Sequence, residues 1–344
     1  MQKNLSSGRV VYLDALRLLC SFLVIVNHTY DYVRLSEASS SVRFASFASM
    51  SFSNIAVPVF LMISGCTLLT KQDDLRKTFS RVLRIGLALV IFSFVYELYR
   101  FLTGQLPSLS IKRFLLFIYE QNTTMAYWYL YMYLGLLLML PFLQKLFASM
   151  QHQDFLLFFG ISVFFVSVWP LVVEYTPMSA YCDHFSLPLF GGSIAYLFWG
   201  GYLKNHMKKN PPAWILLVLI AACTLVSAAV TDRAYVATSA QRYLFLDNTD
   251  LLPVVLTSLC VFLLFRKMRF SERSAQLIRT LGSASFGVFL LSDLFISILF
   301  QPYLFLREHM PVFAAVTIYQ IAIWFASLAC SLVLKRIPLL NKLL

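Results

Sequence analysis

Residues 12–32 read YLDALRLLCSFLVIVNHTYDY, and this stretch decides the fold. Its length matches the roughly 20 residues that an α-helix needs to cross a bilayer. It nevertheless carries Asp14, Arg17, His28 and Asp31. A charged side chain at mid-helix in hydrocarbon costs about 2.5–3.5 kcal/mol, so such residues usually face a protein interior or a cavity. The stretch therefore predicts a membrane helix with one functional polar side.

The spacing of Arg17 and His28 places them on the same side of that helix. They are eleven positions apart, which is about three turns plus 20°, so they lie on one face about 16 Å apart. Ser21 falls close to the same line. This stripe predicts a site rather than a lipid-facing surface.

The composition is that of an integral membrane protein. Hydrophobic residues make up 59% of the chain and charged residues 13%, with a mean hydropathy of +0.74. Soluble domains carry about 25% charged residues. The net charge of +12 comes from basic residues gathered in loops between apolar segments, as bilayer orientation requires, so we expect no nucleic-acid partner.

The six cysteines predict neither a metal site nor a disulfide framework. No pair has the spacing of metal ligands, and five of them lie within apolar segments as small core residues. Cys182 falls in an expected outer loop without a partner.

Hydropathy predicts ten membrane spans in an all-α bundle. They are Tyr12–Tyr32, Phe52–Leu69, Ile85–Leu102, Trp128–Phe147, Phe155–Val173, Leu187–Leu203, Ala213–Thr231, Leu251–Phe265, Leu281–Phe300 and Val312–Leu334. Nineteen of the 28 Lys and Arg residues then fall on the side of the amino terminus and eight on the other, with Arg17 inside a span. Basic loops stay in the cytoplasm, which predicts cytoplasmic termini. We expect residues 1–344 to form a single domain.

Two arginines at the start of the third span have two interpretations. Arg81 and Arg84 are three apart, on one face of a helix that begins at the inner membrane surface. They are either ordinary positive-inside charge or a phosphate clamp, since guanidinium groups bind phosphate through two hydrogen bonds. The predicted topology puts Arg17 at a similar depth, and three such arginines suit a polyanionic cytosolic ligand such as coenzyme A.

His28 also has two interpretations. It is either a hydrogen-bonded structural histidine or a general base for an acceptor hydroxyl, oriented by Asp31 about one turn away. The chain contains no Gly-x-Ser-x-Gly, metal-binding or nucleotide-loop motif.

Four stretches together resemble acyltransferase family 3 membrane proteins. They are Arg17-x10-His28, SGCTLL at 64–69, Arg81-x-x-Arg84 and the aromatic AYWYLYMYLGLLLMLPFL at 126–143. The layout of the whole chain is similar, including SFGVFLL at 285–291. The combination of Arg-x10-His with Arg-x-x-Arg in this order is fairly specific, whereas either motif alone is weak.

The resemblance implies transfer of an acyl group, usually acetyl, from cytosolic acyl-coenzyme A to a hydroxyl of an envelope polysaccharide, glycolipid or related acceptor. It implies a multi-pass protein of the cytoplasmic membrane in which His28 is catalytic. Arg17, Arg81 and Arg84 would hold the coenzyme. Some relatives carry an extracytoplasmic hydrolase-like domain; because this chain ends at Leu344, we expect it to act alone or with a separate extracytoplasmic partner protein.

Two departures from the family concern the acceptor side. Many relatives have His at the position of Ala126, and many have His in the ninth span where this chain has Ser292 and Asp293. Asp293 and Glu97 are carboxylates within predicted spans. They either take the place of the missing histidines or are structural. Tyr127, Trp128 and Tyr131 either stack on a sugar or belong to the aromatic belt at the membrane surface.

Other functional classes also fit intramembrane charges. A transporter or exporter of envelope glycan or lipid intermediates is the main alternative, since charges within spans also mark transport paths. It predicts repeated halves with matching broken helices, which the sequence does not display. A structural partner of a polysaccharide synthase is a third interpretation, and it predicts that substituting Arg17 or His28 is harmless.

Overall fold

The computed structural model describes residues 10–71, 73–120, 123–170, 172, 192–238 and 249–344. Within these ranges every regular element is helical and no strand occurs. The prediction of an all-α protein is confirmed for the part of the chain that the structure describes.

Most of these residues form α-helices joined by short turns. In chain order the helices are α1 (Val11–Asn27), α2 (Ser40–Ser53), α3 (Ala56–Leu68), α4 (Leu75–Leu102), α5 (Ile111–Tyr119), α6 (Trp128–Ser149), α7 (His152–Val163), α8 (Gly192–Asn205), α9 (Ala213–Thr238), α10 (Leu252–Lys267), α11 (Glu272–Gly282), α12 (Ser285–Ile298), α13 (Phe300–His309), α14 (Val312–Leu334) and α15 (Pro338–Asn341). A π-helical turn, Phe164–Val168, continues α7.

Five helical segments among the described residues are long and apolar enough to cross a membrane. They are Ser40–Leu68, Leu75–Leu102, Met125–Ser149, Ala213–Ala237 and Val312–Leu334. Glu272–Gly282 and Ser285–Ile298 meet the same criterion only when they are taken together, as a broken span or a re-entrant loop. These segments identify the chain as an integral membrane protein. The count of ten spans and the cytoplasmic termini stay predictions.

The first predicted span is a shorter helix than expected. α1 has 17 residues and is therefore about 26 Å long, slightly less than the roughly 30 Å hydrocarbon core. It ends where the Asn27 side chain donates to Asn54 Oδ1 at 2.6 Å and to Ser53 Oγ at 3.3 Å. The predicted stretch continues as a separate 3₁₀ turn, Tyr30–Val33.

The chain divides into two compact units. The first comprises Met1–Thr67 and Met150–Ser283, and the second comprises Leu68–Ser149 and Ala284–Leu344. The first therefore contains α1–α3 and α7–α11, and the second contains α4–α6 and α12–α15.

In the first unit, α3 and α8 pack closely through glycines. A Cβ at Gly65 would overlap the Leu197 carbonyl, and a Cβ at Gly200 would overlap the Met62 carbonyl. The Cys66 thiol donates to Gly200 O at 2.9 Å across the same contact. Small residues allow this approach of helix backbones, as in other membrane bundles.

Two further helices of the first unit, α10 and α11, pack against α1. A Cβ at Gly282 in α11 would lie 2.8 Å from the Asp14 Cβ, and the Tyr12 ring meets the Phe262 ring of α10 edge to face at 5.9 Å. The start of α1, including Asp14, is therefore packed against α10 and α11.

In the second unit, hydroxyl groups tie α12 to its neighbours. Ser331 Oγ on α14 donates to Ala284 O at 2.9 Å, and the Tyr96 hydroxyl on α4 donates to Leu290 O at 3.1 Å. These contacts place the middle of α12 against α4 and its start against α14.

Candidate active site

The structure gives Arg17 a partner on its own helix. Its Nη1 donates to Asp14 Oδ1 at 2.5 Å, and the Arg17 side chain is 23% exposed while Asp14 is fully buried. The i, i+3 spacing brings such side chains together on a helix. Asp14 therefore fixes the direction of the guanidinium group and offsets its charge.

His28 lies at the carboxyl end of α1. It is the C-cap residue, with its N–H bonded to Val24 O at 3.1 Å, and it is half-buried. Its imidazole nitrogens make no hydrogen bond with the described residues. The ring is therefore available to a ligand, unlike a histidine held in a structural network.

Asp31 belongs to the 3₁₀ turn after α1 and is exposed. No hydrogen bond joins its carboxylate to the His28 ring, although the charges of the two side chains interact. The structure thus places Asp31 near His28 without showing the orienting contact that the sequence predicts.

Arg81 is fixed by a network in the second unit. Its Nη1 donates to Asp73 Oδ2 at 2.6 Å. Gln144 on α6 donates to the same oxygen at 3.1 Å and to Leu68 O at 2.9 Å, and it accepts from the Asp73 N–H at 3.3 Å. The hydrogen bond from Arg81 holds the pKa of the Asp73 carboxyl below its ordinary value.

Arg84 differs from Arg81 although both lie on α4. It is exposed, and no hydrogen bond or ion pair to its guanidinium occurs among the described residues. One arginine of the pair is thus held in place by the protein, and the other is available to a ligand.

Glu97 is a buried carboxylate, 3% exposed, on α4. The Arg113 guanidinium of α5 donates to Glu97 Oε1 at 3.4 Å and also bonds to Ser108 O. A buried carboxylate needs such a partner. This pair connects α4 to α5.

Tyr127 is fully buried, and its hydroxyl donates to Leu290 O at 2.9 Å. Its ring stacks on Phe289 at 6.2 Å between centroids. The half-buried Asp293 lies three residues after Leu290 on α12. Tyr127 and Asp293 therefore share one region of the second unit.

Trp128 and Tyr131 follow Tyr127 at the start of α6. Trp128 is 44% exposed and meets Tyr129 edge to face at 6.4 Å. The Tyr131 hydroxyl donates to Ile118 O at 2.7 Å. Of the predicted acceptor aromatics, Trp128 presents the most open ring, whereas Tyr127 is covered by protein.

The candidate residues fall into two groups by unit. The first unit contains Arg17, His28 and Asp31, and the second contains Arg81, Arg84, Glu97, Tyr127, Trp128 and Asp293. Within the described ranges, no cluster of His, Cys, Asp and Glu has the arrangement of a metal site.

Sequence reasoning missed the partners of the arginines. Asp14 carries a detectable signal because it precedes Arg17 by three residues. Asp73 and Gln144 carry none, since they lie eight residues before Arg81 and 63 residues after it.

Comparison with protein families identifies the chain. The model of acyltransferase family 3, described as an acyltransferase domain, matches residues 10–336. No match was found among curated proteins or solved structures. The match spans nearly all of the chain, including the membrane helices and every candidate residue above. The chain therefore belongs to acyltransferase family 3, and it is a membrane acyltransferase.

Proposed function

We propose that this acyltransferase uses cytosolic acyl-coenzyme A, with acetyl as the acyl group, and acylates a hydroxyl of an envelope polysaccharide, glycolipid or related acceptor. The proposal places it in the cytoplasmic membrane. The observation that carries it is α1, where an arginine fixed by Asp14 and a half-buried histidine without a hydrogen-bonded ring partner lie on one helix.

Arg17, Arg81 and Arg84 are the proposed ligands of the coenzyme phosphates. Arginine is suited to this role because its planar group stays charged and pairs with two phosphate oxygens. Asp14 and Asp73 hold Arg17 and Arg81 in defined positions. Less side-chain freedom is then lost when phosphate binds.

His28 is the proposed base. It removes the proton from the acceptor hydroxyl as the oxygen attacks the thioester carbonyl. The carbon–sulfur bond then breaks, and the departing thiolate takes up the proton. In a second version, an imidazole nitrogen attacks the thioester carbonyl and expels the coenzyme thiolate. The acceptor hydroxyl then attacks the acyl-imidazole, the histidine is released, and the hydroxyl proton passes to the thiolate. Asp31 acts on His28 through its charge in both versions.

The acceptor contacts are proposed in the second unit. Trp128 has an exposed ring for an apolar sugar face, and Asp293 is a half-buried carboxylate beside the buried Tyr127. Glu97 is the least available because Arg113 already pairs with it.

The test is release of free coenzyme A from labelled acetyl-coenzyme A by membranes that contain the protein. We expect His28→Ala to lower transfer by about 100-fold or more, the range for loss of a general base, with coenzyme binding retained. His309→Ala is the matched control, because His309 is exposed on α13 and bonds only within its own helix.

The label should appear on an envelope glycan with the wild type and with His309→Ala. Normal transfer by His28→Ala would remove His28 from the mechanism. If no coenzyme A were released with a broad panel of acyl donors, the proposed donor would be wrong.

A further inference from the structure

One turn of α12 is bridged by a hydroxyl group from α4, a helix of the same unit. In a regular α-helix the Leu294 N–H donates to the Leu290 carbonyl. Here the Leu294 N–H donates to the Tyr96 hydroxyl at 2.9 Å, and that hydroxyl donates to Leu290 O at 3.1 Å. Tyr96 therefore lies between the two backbone groups that close this turn. A side chain inserted in this way is a known cause of local distortion in a helix.

The bridging hydroxyl is held in a fixed place. Tyr96 is 4% exposed, and its ring meets the Tyr127 ring edge to face, with the centroids 5.6 Å apart. The Tyr127 hydroxyl donates to the same Leu290 oxygen at 2.9 Å, and a carbonyl oxygen can accept two such bonds. The packing of the two rings thus fixes the direction from which the Tyr96 hydroxyl reaches α12.

The bridged turn contains Asp293, which the proposed function assigns to the acceptor. Asp293 lies between Leu290 and Leu294 and is half-buried, whereas its neighbour Ser292 is 1% exposed. Asp293 is therefore the more accessible polar residue of this turn. Because the direction of a helical side chain follows its backbone, the direction of the Asp293 carboxylate depends on whether the turn closes directly or through the Tyr96 hydroxyl.

We propose that Tyr96 is a positioning residue for the acceptor side of the reaction. Its hydroxyl keeps one turn of α12 in the bridged form and thereby sets the direction of the Asp293 carboxylate. Tyr96 is covered by protein and acts through Asp293. The inference rests on the proposed function, in which Asp293 contacts the acceptor, and it adds a residue that none of the sequence motifs contains.

Tyr96→Phe tests this role by removing one oxygen atom. Without the hydroxyl, the Leu294 N–H can bond directly to Leu290 O, so the turn closes and the variant folds. We expect an unfolding temperature close to that of the wild type and unchanged stabilisation by coenzyme A. Release of coenzyme A from labelled acetyl-coenzyme A should be about tenfold slower or more, since misplacing a group by about 1 Å can cost about 100-fold in rate.

Tyr319→Phe is the matched control. Tyr319 on α14 is a tyrosine with 2% exposure whose hydroxyl donates to a different carbonyl of α12, that of Ile296, outside the bridged turn. The variant loses the same kind of bond to the same helix and should transfer at the wild-type rate. An equal loss of rate in Tyr319→Phe and Tyr96→Phe would overturn the inference, and so would a normal rate in Tyr96→Phe.

A double-mutant cycle with Asp293→Asn separates positioning from general support of the fold. If Tyr96 acts through Asp293, Tyr96→Phe causes little further loss of rate in the Asp293→Asn background, because the two effects are then coupled. Additive losses would assign Tyr96 a merely structural role. A normal rate in Asp293→Asn alone would also contradict the inference.

A chemical measurement reports the position of residue 293 without any activity. In Asp293→Cys, a small methanethiosulfonate reagent modifies the thiol at a rate that depends on its exposure, and mass spectrometry of the peptide follows that residue alone. Tyr96→Phe should change this rate in the Asp293→Cys background, whereas Tyr319→Phe should not. An unchanged rate with Tyr96→Phe rejects the positioning role even if transfer falls.

The labelling also separates this inference from the proposed function. Wild-type membranes that release no coenzyme A would refute the proposed donor. The modification rates would still decide whether Tyr96 sets the position of residue 293.

Discussion

The guanidinium group of Arg81 is fixed in position before any ligand arrives. Its partner Asp73 has a side chain that is 4% exposed and is itself bonded to Gln144. Arg84, on the same helix, has no such support among the described residues. The two arginines of the motif therefore have different tasks in the proposed site: Arg81 provides a fixed charge and Arg84 an adjustable one.

Replacement of Asp73 tests that difference. Asp73→Asn removes the charge that holds Arg81, and a hydrogen bond to a charged group contributes about 1.5–3 kcal/mol. We expect a lower unfolding temperature and about tenfold weaker coenzyme A affinity, measured by ligand-dependent thermal unfolding. Asp74→Asn is the control, because Asp74 is exposed and its side chain does not cap α4. Unchanged affinity in Asp73→Asn would show that Arg81 needs no fixed partner.

The same pair predicts how stability depends on pH. Arg81, with smaller effects of Gln144 and Lys71, lowers the pKa of Asp73 in the folded protein. The pair's contribution is therefore fully present above the unfolded pKa of about 3.9 and is lost as the pH falls through the lower folded-state value. The difference in unfolding temperature between the wild type and Asp73→Asn should be constant near neutral pH. It should disappear under strongly acidic conditions. A difference that widened on acidification would contradict this assignment.

At the scale of helices, the contact between α3 and α8 is too close to accommodate a larger side chain at Gly65. Gly65→Ala places a methyl group on the Leu197 carbonyl, and overpacking of this kind costs about 1–3 kcal/mol. We expect a clear fall in the unfolding temperature. The matched control is Gly160→Ala in α7 of the same unit, where nothing lies within 4 Å of the added Cβ. That variant should be neutral or slightly stabilised because alanine favours helix. Equal behaviour of the two variants would mean that α3 and α8 do not pack in this way.

Hydropathy predicted most of the long apolar helices, but not where they begin and end, and it missed α2, which lies almost wholly in a predicted outer loop. The third predicted span begins at Ile85, whereas α4 begins at Leu75, because the basic residues that precede the span continue the helix outside the apolar stretch. α1 ends before its predicted limit of Tyr32, at side-chain hydrogen bonds to α2 and its C-cap residue. These contacts depend on residues about 27 positions away, and no local pattern contains them.

The candidate site was also predictable only in part. The motif residues and the i, i+3 relation of Asp14 to Arg17 are visible along the chain. The network around Arg81 is not visible there, because it brings Asp73 and Gln144 together from two separate segments. Side chains brought together by packing leave no trace in the spacing of a single sequence.

At the scale of the whole molecule, the orientation in the membrane is a prediction that labelling can check. The positive-inside bias places the segment between α8 and α9 in the cytoplasm and the segment between α4 and α5 outside. Lys208 and Ser108 are exposed positions in these segments. In a Cys182→Ser background, a membrane-impermeant maleimide should label Ser108→Cys in intact cells. It should label Lys208→Cys only after the membrane is opened. Labelling of both in intact cells would refute the ten-span order.

The ion pair of Asp14 and Arg17 has a consequence for how the protein is made. α1 precedes every other described helix, so it reaches the membrane when no neighbouring helix is present to cover a charge. Insertion of a lone arginine into hydrocarbon is costly. Here the counter-charge is one turn away on the same helix, so the segment can enter the bilayer as a nearly neutral unit. Asp14→Ala should therefore reduce the amount of protein that reaches the membrane, before any effect on catalysis is measured.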